Sequence, residues 1–100
     1  MIEETLIEEI TQSTLIRTGP GLLYAVHVSC IGVTPTDSVE VYDGLNAITG
    51  VRRLYLVATA VNENLSYEPC NPARFNTGIY VLVTLGMKES GAAHVTIQYS

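Results

Sequence analysis

Apolar and polar residues alternate with a period of two along most of this chain, the signature of half-buried β-strands. In residues 22 to 33, "LLYAVHVSCIGV", Tyr24, Val26, Val28 and Cys30 fall on one side and Ala25, His27 and Ser29 on the other. "SVEVYD", residues 38 to 43, places Val39 and Val41 inward and Ser38, Glu40 and Tyr42 outward. Residues 75 to 85 set Phe75, Ile79, Val81, Val83 and Leu85 against Tyr80, Leu82 and Thr84. The last strand points Ala93, Val95, Ile97 and Tyr99 in, and His94, Thr96 and Gln98 out. "VRRLYLVATAV", residues 51 to 61, alternates too, with Leu54, Leu56, Ala58 and Ala60 on one face and Tyr55, Val57, Thr59 and Val61 on the other. A sixth strand is expected at "STLIRT".

Turn chemistry separates these runs. "GPG" at 19 to 21, "TPTD" at 34 to 37 and Asp43-Gly44 are breaks, and "LNAITG" and "NENLSYEPCNP" (62 to 72) read as loops. Short strands joined by turns, without helical patterns between them, predict an all-β fold, an antiparallel β-sandwich of the Ig-like or jelly-roll-like kind. Residues 14 to 100 form its single domain, and residues 1 to 13 an N-terminal arm. In that arm Ile2, Leu6 and Ile10 recur at spacing four with Glu3, Glu4, Glu8 and Glu9 opposite, which suits either a short amphipathic helix or an extended segment. Ten helical residues are marginal alone, so the segment is expected to dock on the body or on a neighbour.

The runs at 51 to 61 and 75 to 85 are apolar on both faces, whereas a sandwich strand needs only one apolar face. The second face, with Tyr55, Val57, Tyr80 and Leu82, and the arm residues Ile2, Leu6 and Ile10 are therefore candidate interface positions. Composition sharpens this. Hydrophobic residues make up 47% of the chain and charged residues 15%, against about 25% charged in ordinary soluble domains. Charge depletion marks the buried centres of interfaces. Six tyrosines without a tryptophan suit wet protein contacts better than a sugar platform.

The net charge is −5, with five basic residues against ten acidic, and Arg52-Arg53 is the one adjacent basic pair. Phosphate neutralisation needs several cations on one face, so nucleic acid and anionic membranes are not expected partners. No stretch approaches the roughly 20 apolar residues of a membrane helix, and the acidic start lacks the basic opening of a secretory signal. Cys30 and Cys70 are expected as reduced thiols, with a Cys30–Cys70 bridge as the alternative.

No catalytic or metal-binding pattern emerges. His27 and His94 both sit on outward faces, and their nearest potential co-ligands, Asp37, Asp43 and Cys70, come from loops without ligand spacing. Cys30 and His27 fall on opposite faces, so no nucleophile–base pair forms. "GLNAITG" and "TGPG" lack the Lys-Ser/Thr ending of a phosphate loop. No enzyme activity, metal or cofactor is expected.

The stretches "TLIRTGPGLLYAVHV", "VEVYDG", "FNTGIYVLVT" and "HVTIQYS", with Gly21, Tyr42, Asp43, Gly44, Phe75 and Gly78, resemble a group of small β-sandwich virion proteins encoded by tailed bacteriophages. The resemblance spans residues 14 to 100. It implies a non-enzymatic structural protein, a head decoration or cement protein bound to the major capsid protein or other virion proteins. Neck, tail or fibre components, some of which bind a host receptor or glycan, are the alternative. It also implies a homo-oligomer, with a trimer favoured, located in the virion after assembly in the bacterial cytoplasm.

Overall fold

A computed structural model of the chain describes residues 5–29, 37–59, 63–84 and 94–100. They form two antiparallel sheets packed face to face, a β-sandwich without helices among the described residues. The strands are β1 (Leu6–Ile10), β2 (Thr14–Thr18), β3 (Gly21–Val28), β4 (Ser38–Asp43), β5 (Val51–Val57), β6 (Leu65–Tyr67), β7 (Ala73–Phe75), β8 (Gly78–Thr84) and β9 (Val95–Tyr99). One sheet runs β1-β9-β3-β6, with β7 pairing the other end of β3; the second runs β2-β8-β4-β5.

The core is the set of inward positions of both sheets. Leu23, Val26, Val28, Phe75, Val95, Ile97 and Tyr99 come from the first sheet, and Val39, Val41, Ile79 and Val81 from the second, all buried. The period-two reading places Val39, Val41, Ile79, Val81, Val95, Ile97 and Tyr99 inward, as observed. Of the two forms open to the start of the chain, residues 6 to 10 take the extended one. As β1 they pair with β9 from Leu6↔Tyr99 to Ile10↔Val95.

Three expectations are corrected. Tyr24 does not share the inward face with Val26. The β3–β9 register shifts between Leu23 and Ala25, so Leu23 pairs with Tyr99 and takes the inward place while Tyr24 occupies a bulge. A bulge inserts one residue and inverts parity on one side of itself, which simple alternation cannot show. The run at 75 to 85 is not one strand. Phe75 ends β7 and pairs with Gly21 in the first sheet, and after residues 76 and 77 the chain enters β8 of the second. Both pieces face the same core, so the apolar parity survives the change of sheet. The stretch 62 to 72 is not all loop: Val26↔Tyr67 and Val28↔Leu65 define β6 within it. Cys30, Leu85 and Ala93 lie outside the described residues.

Each sheet edge is blunted against further strand pairing. β1 carries Glu8 in the inward register, opposite Ile97. β2 bulges between Leu15 and Arg17. The β4–β5 register shifts between Val41 and Tyr42, so the edge strand β5 is bulged where Arg52 and Arg53 lie. β6 and β7 are three residues each. Inward charge, bulges, edge arginines and short strands are the devices by which sheets avoid edge-to-edge association. These features disfavour strand addition at the edges of the described sheets.

Candidate functional site

The two outer faces differ in kind. Outside the β1-β9-β3-β6 sheet, Glu9 pairs with Thr96 and Thr96 with His27, which pairs in turn with Ser66. His94 Nδ1 lies 3.7 Å from Glu9 and His27 Nε2 lies 3.8 Å from Glu68. This face is polar, with Ile7 at its edge as the exposed aliphatic residue.

Outside the β2-β8-β4-β5 sheet, cross-strand pairing builds three rows. Leu15, Tyr80, Tyr42 and Arg52 form the first. Leu82, Glu40 and Tyr55 form the second, and Thr84, Ser38 and Val57 the third. Opposed side chains in neighbouring strands lie about 4.5–5.5 Å apart at Cβ, so each row is a line of contacts. The result is an aromatic and aliphatic surface with one carboxylate on the inner strand β4 and one guanidinium on the edge strand β5.

Those two charges are satisfied within the surface. The Tyr42 hydroxyl donates to Glu40 Oε1 at 2.9 Å, and Arg52 Nη1 donates to the same oxygen at 3.1 Å. The Arg52 guanidinium lies 4.8 Å from the centre of the Tyr55 ring, within cation–π reach. Glu40 is well covered, its side chain 14% exposed. The hydrogen bond to Glu40, then burial, then the Glu40 charge raise the Tyr42 phenol above its ordinary value, with Arg52 opposing. The hydroxyl therefore stays a donor through the physiological range.

Asp43, at the end of β4, anchors the turn between the sheets. Its carboxylate accepts from the backbone amides of Thr77 (2.8 Å), Asn76 (3.1 Å) and Gly78 (3.4 Å), and lies 3.7 Å from Arg53 Nη1. Burial alone would push this carboxyl up. The amides of Thr77, Asn76 and Gly78 and the Arg53 charge outweigh it and hold the group below the ordinary carboxylate range. Arg53 in turn lies 5.6 Å from the centre of the Phe75 ring. Asp43 is thus engaged in holding the β7–β8 crossover.

Residues 44 to 50 form a closed loop beside this clamp. Asn46 Oδ1 accepts from the amides of Ile48 (2.9 Å) and Thr49 (2.8 Å) and from the Thr49 hydroxyl (3.0 Å). The Gly50 amide donates to the Asn46 carbonyl at 3.1 Å. A Cβ on Gly50 would stand 2.5 Å from that carbonyl oxygen, so the closure depends on glycine there. The loop holds Ile48 94% exposed, flanked by the exposed Leu45 and Val51.

The expected interface residues divide accordingly. Tyr55, Val57, Tyr80 and Leu82 come together on the outer face of the second sheet. Leu6 and Ile10 do not join them: both lie in β1 in the inward register, Ile10 buried in the core and Leu6 half exposed at the edge. Ile2 lies outside the described residues. Leu15 and Arg52 belong to the face and were not singled out by sequence, and Glu40 and Tyr42 were read as outward without being read as interface positions. The signal for Leu15 and Arg52 was the pairing of β2 and β5 with a common sheet, which a single strand's alternation does not carry. Among the described residues no three His, Cys, Asp or Glu side chains are placed to hold a metal ion. Asp43 is turned to backbone amides, and Cys70 is free and exposed. No protein-family model matches the chain, no curated protein matches it, and no solved structure matches it.

Proposed function

We propose that this chain is a non-enzymatic assembly protein that docks on a larger protein surface through the outer face of the β2-β8-β4-β5 sheet. The observation that carries this is the make-up of that face. Leu15, Tyr80, Leu82, Tyr55 and Val57 surround a charge pair already neutralised internally. A face of this kind gives up little charge solvation when covered. If roughly 400 Å² of apolar area is covered, the gross driving force is on the order of 10 kcal/mol, before association costs are subtracted. The blunted edges support a face-directed contact over strand addition.

The setting proposed for this contact is the virion of a tailed bacteriophage, with the major capsid protein as the partner in a decoration or cement role. The sequence resemblance supports the setting, and the sheet face supplies the means. Neck, tail and fibre are the second reading, and copy number separates the two. The purified chain, added to emptied heads and to isolated tails of a phage that encodes it, is expected to co-sediment with heads at hundreds of copies per particle. Binding at a few to a few dozen copies would place it at the neck, tail or fibre. Binding to neither would reject the virion setting.

A further inference from the structure

The loop between β4 and β5 is built to hold its shape. Asn46 Oδ1 accepts from the amides of Ile48 and Thr49 and from the Thr49 hydroxyl, and the Gly50 amide closes back on the Asn46 carbonyl. The two legs meet at glycines: a Cβ on Gly44 would stand 2.6 Å from the Gly50 Cα. Leu45 folds back over the sandwich, its Cδ2 3.2 Å from where a Cβ on Gly78 would stand. Ile48 does not fold back. It stands almost fully in solvent, so its place is set by the backbone and not by packing. A lone aliphatic side chain at a surface is ordinary. One presented by a closed, hydrogen-bonded loop is preorganised for burial against something else, because little ordering remains to be done on binding.

The loop also continues the docking face. Asp43↔Val51 ends the β4–β5 ladder at the foot of the loop, and the pair before it, Tyr42↔Arg52, is a row of that face. The two features touch: a Cβ on Gly50 would stand 3.1 Å from the Tyr42 Cβ. A broad sheet face with a single side chain protruding beside it calls for a broad surface with an apolar socket at its border. Among the described residues, a second copy of this chain does not offer that socket. The recess at β7 is walled by Arg74 and Asn76, and the recess at β6 by His27, Ser66, Glu68 and Thr96. An anionic lipid surface attracts basic segments, and this chain carries a net charge of −5.

We propose that Ile48 anchors the docking face in an apolar socket on a different folded protein. The inference rests on the face-docking reading and names the chemistry that its partner must present. In such contacts a few side chains in well-packed pockets carry most of the binding energy, and their neighbours chiefly exclude water. Ile48 is the pocket-filling side chain, the rows of the sheet face are its surround, and Asn46 is the positioning residue that holds Ile48 out.

Co-sedimentation of the full chain with emptied heads and with isolated tails of a phage that encodes it tests the anchor, with phosphatidylcholine vesicles as a third probe. Ile48→Ser is expected to weaken binding to the particle that wild type binds at least tenfold, about 1.4 kcal/mol. Ile48→Val, which keeps a branched aliphatic side chain, is expected to bind within about threefold of wild type. Asn46→Ala keeps Ile48 and releases the loop, and is expected to weaken binding several-fold. Ile48 is exposed, so Ile48→Ser is expected to melt as wild type does. Ile48→Ser binding like wild type while Leu82→Lys fails to bind would overturn the anchor and leave face docking standing. Loss in Ile48→Ser with full binding by Leu82→Lys would keep the socket and remove the face. Wild type that binds neither heads nor tails would overturn both. Wild type that sediments with the vesicles, and Ile48→Ser that does not, would replace the protein socket with a lipid surface.

Discussion

Asp43 shows how much one side chain does here. Its carboxylate is 10% exposed and takes amides from three consecutive residues at the point where the chain passes from one sheet to the other. Replacing it with alanine leaves those amides without their acceptor, and stability is expected to fall by about 2–3 kcal/mol in urea unfolding. Its folded-state pKa is lowered, so its contribution is complete above the unfolded value of about 3.9 and is lost as pH falls through the lower folded value. The stability gap between wild type and Asp43→Asn is therefore expected to be constant near neutrality and to shrink below about pH 4. A gap that widens on acidification would contradict the clamp. Ile48 is the opposite case, a large aliphatic side chain with no packing to lose. Ile48→Ser is expected to change the melting temperature negligibly, whereas Ile10→Ala, which empties a buried site, is expected to cost about 2–4 kcal/mol.

Among the elements, strands whose inward residues alternate without interruption were legible in their faces: Val39/Val41 of β4, Ile79/Val81 of β8 and Val95/Ile97 of β9 point inward, and β4 also keeps its read bounds, whereas β8 begins only at Gly78. The failures share a cause. Tyr24 sits at a bulge, β7 and β8 lie in different sheets with the same parity, and β6 is too short to display a period. In each case the deciding information is the partner strand, and pairing is a property of residues distant in sequence. The candidate face was half legible for the same reason. Alternation marked Tyr55, Val57, Tyr80 and Leu82 and turned Glu40 outward, and only the sheet order adds Leu15 and Arg52 and brings them all onto one face. At the edge strand β1, Glu8 occupies an inward register position and blunts the edge. Glu8→Val is expected to raise aggregation on heating, measured by turbidity, while leaving the folded spectrum unchanged. Unaltered aggregation would show that the edge is protected by something else.

At the scale of the whole molecule, the sandwich presents a polar face with two histidine–carboxylate pairs and an aromatic face with its charges neutralised. That division of the surface underlies the reading of the chain as a docking subunit. The virion setting is a proposal that rests on the sequence resemblance. The most direct test compares one substitution on each outer face in the same binding assay. Leu82→Lys lies in the centre row of the aromatic face and Thr96→Lys lies on the polar one, and each adds the same charge. With both variants folded by circular dichroism, Leu82→Lys is expected to abolish co-sedimentation with emptied phage heads and Thr96→Lys to preserve it. Loss of binding in Thr96→Lys with retention in Leu82→Lys would contradict the account.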